Sequence, residues 1–204
     1  MSTIPVFGNV KDVYGPETSD VEERYAKLAA AFTQTHGEKP DLLARSPGRV
    51  NLIGEHIDYE GYSVLPMAIA LDTIVAIKVD RGSDKLLVSN TDPKYTAKEF
   101  TVDPDQAVDT SSHHWTNYVM CGYKGVFDFL KEANRDVPSA VGMRMIVDGV
   151  VPQASGLSSS SALTCATSVA VIAAHELSFT KPEVADFTCK CERYSGTQSG
   201  GMDQ

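Results

Sequence analysis

Two hydrophobic periodicities run through the chain, and together they predict strands mixed with helices. Alternating or short apolar runs predict six strands: Leu42 to Ser46, Arg49 to Ile53, Thr73 to Val79, Lys85 to Asn90, a short one near Phe100, and Val141 to Val147. Apolar residues recur at helical spacing in four segments: 21–32, 115–130, 158–177 and 184–194. Residues 1–40 read as an extended lead-in and a helix, and residues 41–204 as one domain. This order of elements predicts an α+β or mixed α/β fold, of which α+β is preferred.

Two helix starts carry a recognisable signature. Ser19 with Glu22, and Thr180 with Glu183, match the capping box, in which the two side chains bind each other's backbone N–H groups. We therefore expect helices to begin at both places.

The most informative loop joins the strand at 141–147 to the helix that follows it. It lies within DGVVPQASGLSSSSAL, residues 148–163. A Gly/Ser-rich turn that opens a helix gathers free N–H groups and the positive end of the helix dipole, which suits a phosphate. A flexible linker, or serines acting only as caps, is the simpler alternative. No Gly-Lys-Ser/Thr occurs, so this is not a Walker P-loop.

Charge and composition narrow the range of partners. The 204 residues carry a net charge of -9, which argues against nucleic acid or an anionic membrane surface. Hydrophobic residues make up 42% and charged residues 22%, as in a soluble globular chain, and no run of 18 apolar residues occurs.

The cysteines lack zinc-ligand spacing, which favours buried thiols in a reducing cytosol: Cys121, Cys165, Cys189 and Cys191. We expect a cytoplasmic monomer.

Arg49 and the polar residues after it are the first candidates for chemistry. Arg49 can form a surface ion pair, or offer a permanently charged fork to a phosphate or a developing oxyanion. Glu55, His56 and Asp58 follow between two glycines. They can form a metal site, a solvated turn, or a set of acceptors for the hydroxyls of a polyol, and sugar recognition is the preferred functional interpretation.

Asp203 and two aromatic residues are further candidates. Asp203 follows two glycines, so it is either a turn residue or a base for a hydroxyl nucleophile. Trp115 and Tyr118 are either helix core residues or an aromatic wall for adenine. The residues alone leave both pairs of alternatives open.

Three segments together resemble one enzyme family. Residues 46–59 (SPGRVNLIGEHIDY) resemble the galactokinase signature, and residues 151–162 (VPQASGLSSSSA) resemble the second motif of the GHMP kinases. Residues 196–204 (GTQSGGMDQ) resemble the galactokinase loop that carries the catalytic aspartate. The order and spacing of the three segments also match the family.

The resemblance implies ATP-dependent phosphorylation of the anomeric hydroxyl of galactose. In the family, the residue matching Arg49 lies between the sugar and the γ-phosphate, and Asp203 matches the proposed base. Both contact the sugar, as do the residues that match four further positions: Glu55, His56, Asp58 and Gly200.

The resemblance also implies where ATP and Mg²⁺ bind. The triphosphate lies on the loop that carries four of the family's nucleotide-binding positions: Gly156, Ser158, Ser159 and Ser160. Ser160 lies near the metal. Trp115 and Tyr118 match the Trp-x-x-Tyr pair that lines the adenine pocket.

The implied fold is the GHMP kinase N-terminal domain, which is ribosomal protein S5 domain 2-like, over residues 41–204. Full-length relatives continue for at least as many residues again, so we expect the C-terminal domain to be missing. Ala154 stands where the family usually has glycine. Three alternatives stay open: an N-acetylgalactosamine kinase, a catalytically silent galactose- and ATP-binding sensor, and an inactive fragment.

Overall fold

Five strands form one mixed sheet at the centre of the molecule. The computed structural model describes residues 3–54, 56–197 and 200–204. The strands are β1 (Leu42–Asn51), β2 (Pro66–Asp80), β3 (Lys85–Asn90), β4 (Lys98–Thr101) and β5 (Gly142–Gly149). Their order across the sheet is β1-β2-β5-β3-β4. All neighbours are antiparallel except β3 and β5, which are parallel and are connected through β4 and a helix.

Helices cover both faces of this sheet. They are α1 (Lys11–Tyr14), α2 (Ser19–His36), α3 (Thr116–Glu132), α4 (Ser159–Ala174) and α5 (Lys181–Glu192). Two single 3₁₀ turns are also present, at Asp58–Glu60 and Arg193–Ser195. None of the helices in the described part of the chain is long and apolar enough to cross a membrane.

The core divides into two layers because β2 and β5 are apolar on both faces. On one face, Val75 and Ile77 join the large cluster formed with α3, α4 and α5. On the other face, Ile74 and Ala76 pack against Leu28 and other residues of a smaller cluster under α2. Successive strand residues point to opposite faces, so a strand that is buried on both faces has a continuous run of apolar residues. The 73–79 segment has this pattern, which confirms its prediction as a strand.

The first two predicted strands are in fact one. β1 runs without a break through Pro47 and Gly48, but its register against β2 shifts between Pro47 and Arg49. Such a bulge bends a strand and re-aims the side chains that follow it. The Pro-Gly pair therefore marks a change of direction just before Arg49, and the prediction of two separate strands is wrong.

The two predicted capping boxes have different outcomes. At α5, the Thr180 hydroxyl accepts from the Glu183 N–H, and the Glu183 carboxylate accepts from the Thr180 N–H at 2.6 Å, which confirms the prediction. At α2, the cap is Thr18 and its side chain makes no capping bond, so the box at Ser19 is wrong.

Two smaller differences concern other helices, whereas the cysteines agree with the prediction. The lead-in contains the short helix α1, which was not predicted, and α4 ends at Ala174, before the positive φ of Glu176. The four cysteines are buried, as expected, and burial raises the pKa of Cys121 to about 12.

Gly122 lets α3 and α4 approach closely. A Cβ at this position would lie 2.6 Å from the carbonyl oxygen of Thr164. We expect Gly122→Ala to lower the free energy of unfolding by about 1 kcal/mol or more, because overpacking outweighs the helix propensity gained by alanine. Urea unfolding measures this change. Gly8→Ala, which adds a methyl group in open space, is the control, and an equally small effect of both substitutions contradicts the close contact.

Candidate active site

The loop between β5 and α4 has an unusual backbone that exposes the start of the helix. Ala154, Gly156 and Ser158 all have positive φ values, of 54°, 70° and 58°. Ser158 is the N-cap of α4, and in the described structure its side chain caps no backbone N–H, nor does the first turn hold an acidic residue. The amides of this turn are therefore free to face an anion, which the helix dipole favours.

Both ends of this loop are fixed to the sheet. The Val150 N–H donates to the carbonyl of Asp72 in β2 at 3.0 Å, and the Arg49 N–H donates to the carbonyl of Leu157 at 3.0 Å. A Cβ on Gly48 would lie 2.8 Å from the same Leu157 oxygen, so only glycine allows the loop to approach β1 this closely. The loop is held against the strand that carries Arg49.

The Arg49 guanidinium connects this loop to the last residues of the chain. Its Nη1 donates to the carbonyl oxygen of Gly156 at 3.1 Å, and its Nη2 forms an ion pair with Oδ1 of Asp203. Only 11% of the Arg49 side chain is exposed. The pair is therefore mostly shielded from solvent and is not the exposed surface ion pair considered from the sequence.

The predicted sugar-binding segment lies against the end of the chain that carries Asp203. The Gly200 N–H donates to Oδ2 of Asp58 at 3.1 Å. A Cβ on Gly200 would lie 2.5 Å from the backbone nitrogen of Tyr59, so a side chain here would push the two segments apart. His56 has a φ of 58° and its ring lies 6.2 Å from that of Tyr59. Glu55 lies outside the described residues.

The aromatic pair and the serines share one cleft of about 750 Å³. Its lining includes Trp115, Tyr118, Ser159 and Ser160. The Trp115 indole N–H donates to the carbonyl of Thr96 at 2.9 Å. Both aromatic residues also pack against the main core, which confirms the core interpretation, while a role towards adenine stays a prediction. The cleft runs from the first turn of α4 to the aromatic rings, and its volume is within the usual range for small-molecule sites.

Glu192 is a buried carboxylate at this site that the sequence analysis missed. Its Oε2 accepts from the Ser161 hydroxyl at 2.7 Å and from Nε2 of Gln204 at 2.6 Å. Burial raises the pKa of the Glu192 carboxyl, and hydrogen bonds from Ser161 and Ser160 oppose the shift. The sequence did contain a signal for the burial of Glu192. This residue lies four positions after the buried Thr188, so both are on the same buried face of α5.

Unpaired polar atoms also mark this place. Among the described residues, several buried side-chain atoms near the site lack a hydrogen-bond partner: Nε of Arg49, Nδ2 and Oδ1 of Asn51, Oγ of Ser158 and Oε1 of Gln204. Leaving such a group unpaired costs about 1–3 kcal/mol. Their grouping around Arg49 and the helix mouth is typical of a site that binds a polar ligand.

Comparison with known proteins defines the class of this site. Residues 117–204 match the family described as "GHMP kinases N terminal domain", and residues 30–79 match the "Galactokinase galactose-binding signature". The fold is therefore that of a GHMP kinase N-terminal domain, as predicted.

Relatives then identify the particular family. A galactokinase from Candida maltosa is 40% identical, over 90% of this chain and 85% of the relative, and one from Dictyostelium discoideum is 41% identical, over 90% of this chain and 36% of the relative. The structure of Lactococcus lactis galactokinase complexed with galactose superposes with a TM-score of 0.73 at 31% identity, over 88% of this chain and 45% of that one. The chain belongs to the galactokinase family. It spans less than half the length of the Dictyostelium and Lactococcus relatives.

The raised pKa of Glu192 predicts how stability depends on pH. The folded protein binds this proton more tightly than the unfolded chain, so wild-type stability falls as pH rises from the ordinary carboxyl pKa through the raised one. Glu192→Gln lacks this titration. We therefore expect the wild type to lose stability relative to the variant across that window, and the difference to be constant above it.

Urea unfolding of both proteins between about pH 4 and pH 8 measures this difference, because that range brackets the ordinary carboxyl value. A wild type that instead gains stability relative to Glu192→Gln as pH rises contradicts the assignment of Glu192 as a buried, destabilised carboxylate.

Proposed function

We propose that the protein takes part in ATP-dependent phosphorylation of the anomeric hydroxyl of galactose, in the cytoplasm. Membership of the galactokinase family supports this proposal. The observation that carries it is the position of Arg49, which contacts the loop at the mouth of α4 on one side and Asp203 on the other. Phosphoryl transfer needs this proximity between the donor and acceptor sites more than it needs covalent help.

The triphosphate would lie on the 156–160 loop. Free amides in the first turn of α4 and the hydroxyls of Ser158, Ser159 and Ser160 supply donors without a P-loop lysine. Adenine would extend along the cleft towards Trp115 and Tyr118. The position of Ser159, Ser160, Trp115 and Tyr118 in one cleft supports these roles, and the roles of Gly156 and Ser158 stay predictions.

Sugar and phosphate would meet at Arg49 and Asp203. We assign Oδ2 of Asp203 to the anomeric hydroxyl, because Arg49 already contacts Oδ1. The carboxylate then orients the hydroxyl or accepts its proton. Arg49, a permanent cation with little solvent exposure, favours the developing alkoxide and offsets charge on the transferred group. Asp58 and Gly200, which contact one another beside this point, and His56 would hold the remaining hydroxyls.

The residues at the mouth of α4 fit a magnesium ion. Mg²⁺ prefers oxygen ligands and is usually held by one or two carboxylates together with substrate phosphates. Glu192 supplies a buried carboxylate that contacts the serines of the first turn, so Glu192 and Ser160 would hold the ion. When bound, it neutralises phosphate charge.

Substitution of the two central residues tests the reaction. We expect Asp203→Ala and Arg49→Lys each to lower kcat by on the order of 10²-fold or more, because each removes a group that acts on the reacting atoms. Coupled ADP release with galactose and Mg·ATP measures kcat, on this chain and on one extended to the length of its relatives. Asp186→Asn, which alters an exposed ion pair with Lys190, is the control. Unchanged turnover in either active-site variant refutes the assigned roles.

The same assay distinguishes the sugar substrates. The relative from Lactococcus lactis was crystallised with galactose, and we expect galactose to be the better substrate here. Faster turnover of N-acetylgalactosamine would favour the related kinase. Binding of both galactose and ATP without ADP release by the extended chain would favour a silent sensor.

A negative charge added at the helix mouth tests the phosphate site without weakening the helix. Ser159 is the first residue of α4, where a glutamate interacts favourably with the helix dipole, so Ser159→Glu should fold as well as wild type. The same carboxylate repels a triphosphate, and we expect Mg·ATP affinity to fall at least about tenfold.

Fluorescence of Trp115, the single tryptophan of the chain, reports binding from within the cleft. Ser19→Glu makes the identical change at the first residue of α2 and should leave affinity unaltered. Equal affinities for Ser159→Glu and wild type would place the triphosphate elsewhere.

A further inference from the structure

A buried aspartate on β2 collects three hydrogen bonds from distant parts of the chain. Asp72 has no exposed surface. Its Oδ1 accepts from Nη1 of Arg24 in α2 at 2.6 Å, and its Oδ2 accepts from Nε of Arg45 in β1 and from the Tyr14 hydroxyl in α1, both at 2.5 Å. One carboxylate therefore fixes α1 and α2 against the sheet.

The arrangement extends beyond Asp72 to a second carboxylate. Arg24 also donates from Nε to Oδ2 of Asp148 at 2.5 Å and from Nη2 to the Asp148 carbonyl at 3.0 Å. The guanidinium of Arg45 lies 4.5 Å above the Tyr14 ring. We name these five residues, Tyr14, Arg24, Arg45, Asp72 and Asp148, the Asp72 cluster. Two arginines balance two aspartates, so the cluster is electrically neutral.

The backbone of Asp72 touches both halves of the candidate active site. Asp72 pairs with Pro47 in β1, where the register shifts immediately before Arg49. The Asp72 carbonyl accepts from the N–H of Val150 at 3.0 Å, and Val150 is the first residue of the loop between β5 and α4, residues 150–158, here called the phosphate loop. A displacement of Asp72 therefore moves the strand that carries Arg49 and the loop that Arg49 contacts.

Hydrogen-bonded ion pairs determine direction more strictly than apolar packing does. Bonds to charged groups are short and geometrically specific, whereas apolar contacts tolerate sliding. Helix α2 already has apolar contacts with the sheet through Leu28 and Phe32. The Asp72 cluster adds what these contacts cannot, namely a fixed orientation of the β2 backbone at one residue.

We propose that Asp72 is a positioning residue for the proposed phosphoryl transfer, through which α1 and α2 set the placement of Arg49 against the phosphate loop. This inference rests on the proposed function. It assigns a role in catalysis to the N-terminal segment 1–40, whose described residues, 3–40, contribute no side chain to the lining of the cleft that holds Trp115 and Ser160. The competing explanation is that the cluster only anchors α2 and adds stability.

Tyr14→Phe is the most informative variant. It keeps the ring beside Arg45 and removes only the hydroxyl that binds Asp72. We expect kcat to fall at least about fivefold while KM for galactose changes less than about twofold, because small displacements of reacting groups act mainly on the transition state. Asp72→Asn should have a larger effect in the same direction. Assays are run well below the thermal midpoint of each variant.

Lys27→Gln is the matched control, because Lys27 lies on the same helix in an exposed ion pair with Glu23. It should leave both kinetic parameters unchanged. If Asp72→Asn does not fold, Tyr14→Phe and Arg24→Lys carry the test. A folded Tyr14→Phe with wild-type kcat overturns the proposal, even if its thermal midpoint is lowered.

Hydrogen exchange separates this proposal from the proposed function. We expect the amide of Val150 and those of the 150–158 loop to exchange faster in Tyr14→Phe than in wild type or Lys27→Gln. A wild type without kinase activity contradicts the proposed function, and the exchange rates still decide whether the Asp72 cluster holds the loop. Unchanged loop exchange in Tyr14→Phe overturns the proposal in either case.

Discussion

The arrangement of this site depends on one guanidinium group. Arg49 binds the carbonyl of Gly156 with one nitrogen and the carboxylate of Asp203 with another. These partners lie 107 and 154 residues away in sequence, so one side chain joins two distant segments. The planar fork of arginine suits this task, because two nitrogens bind two partners at a fixed separation.

Several less favourable local features surround this contact. Ser158 and Ala154 have positive φ, and Nε of Arg49 is buried without a partner. Backbone strain and unsatisfied polar groups of this kind are typical of functional sites, where the surrounding structure enforces them. Here the surroundings are the bulge in β1, the close approach allowed by Gly48, and the hydrogen bond from Val150 to Asp72. The site therefore depends on sheet geometry more than on the loop itself.

The sequence predicted features that are encoded locally. The Thr180–Glu183 capping box and the strand Lys85–Asn90 were correct because neighbouring residues determine both. The resemblance of three motifs to one family identified Arg49, Asp203 and the 156–160 loop as site residues, and these residues lie close together in the structure. The prediction of two strands was wrong at the bulge in β1, because a Pro-Gly pair occurs both at bends within a strand and at strand ends.

Features that depend on distant partners could not be read from local patterns. Asp72 interrupts an apolar run, and its partners lie 27, 48 and 58 residues away, so the neighbouring sequence does not show which groups bind it. Glu192 is similar, since its Ser161 partner lies 31 residues away. In both cases a charged residue on an apolar face was the available signal, and only tertiary structure shows what neutralises it.

The central claim is that a triphosphate at the mouth of α4 faces a sugar beside Asp58 and Gly200, with Arg49 between them. A crystal structure with a non-hydrolysable ATP analogue and galactose tests it most directly, through the distance between the γ-phosphorus and the anomeric oxygen. We expect a distance of about 3–3.5 Å, with Arg49 in contact with the γ-phosphate. Phosphates bound away from residues 156–160, or a sugar separated from them by packed side chains, would contradict it.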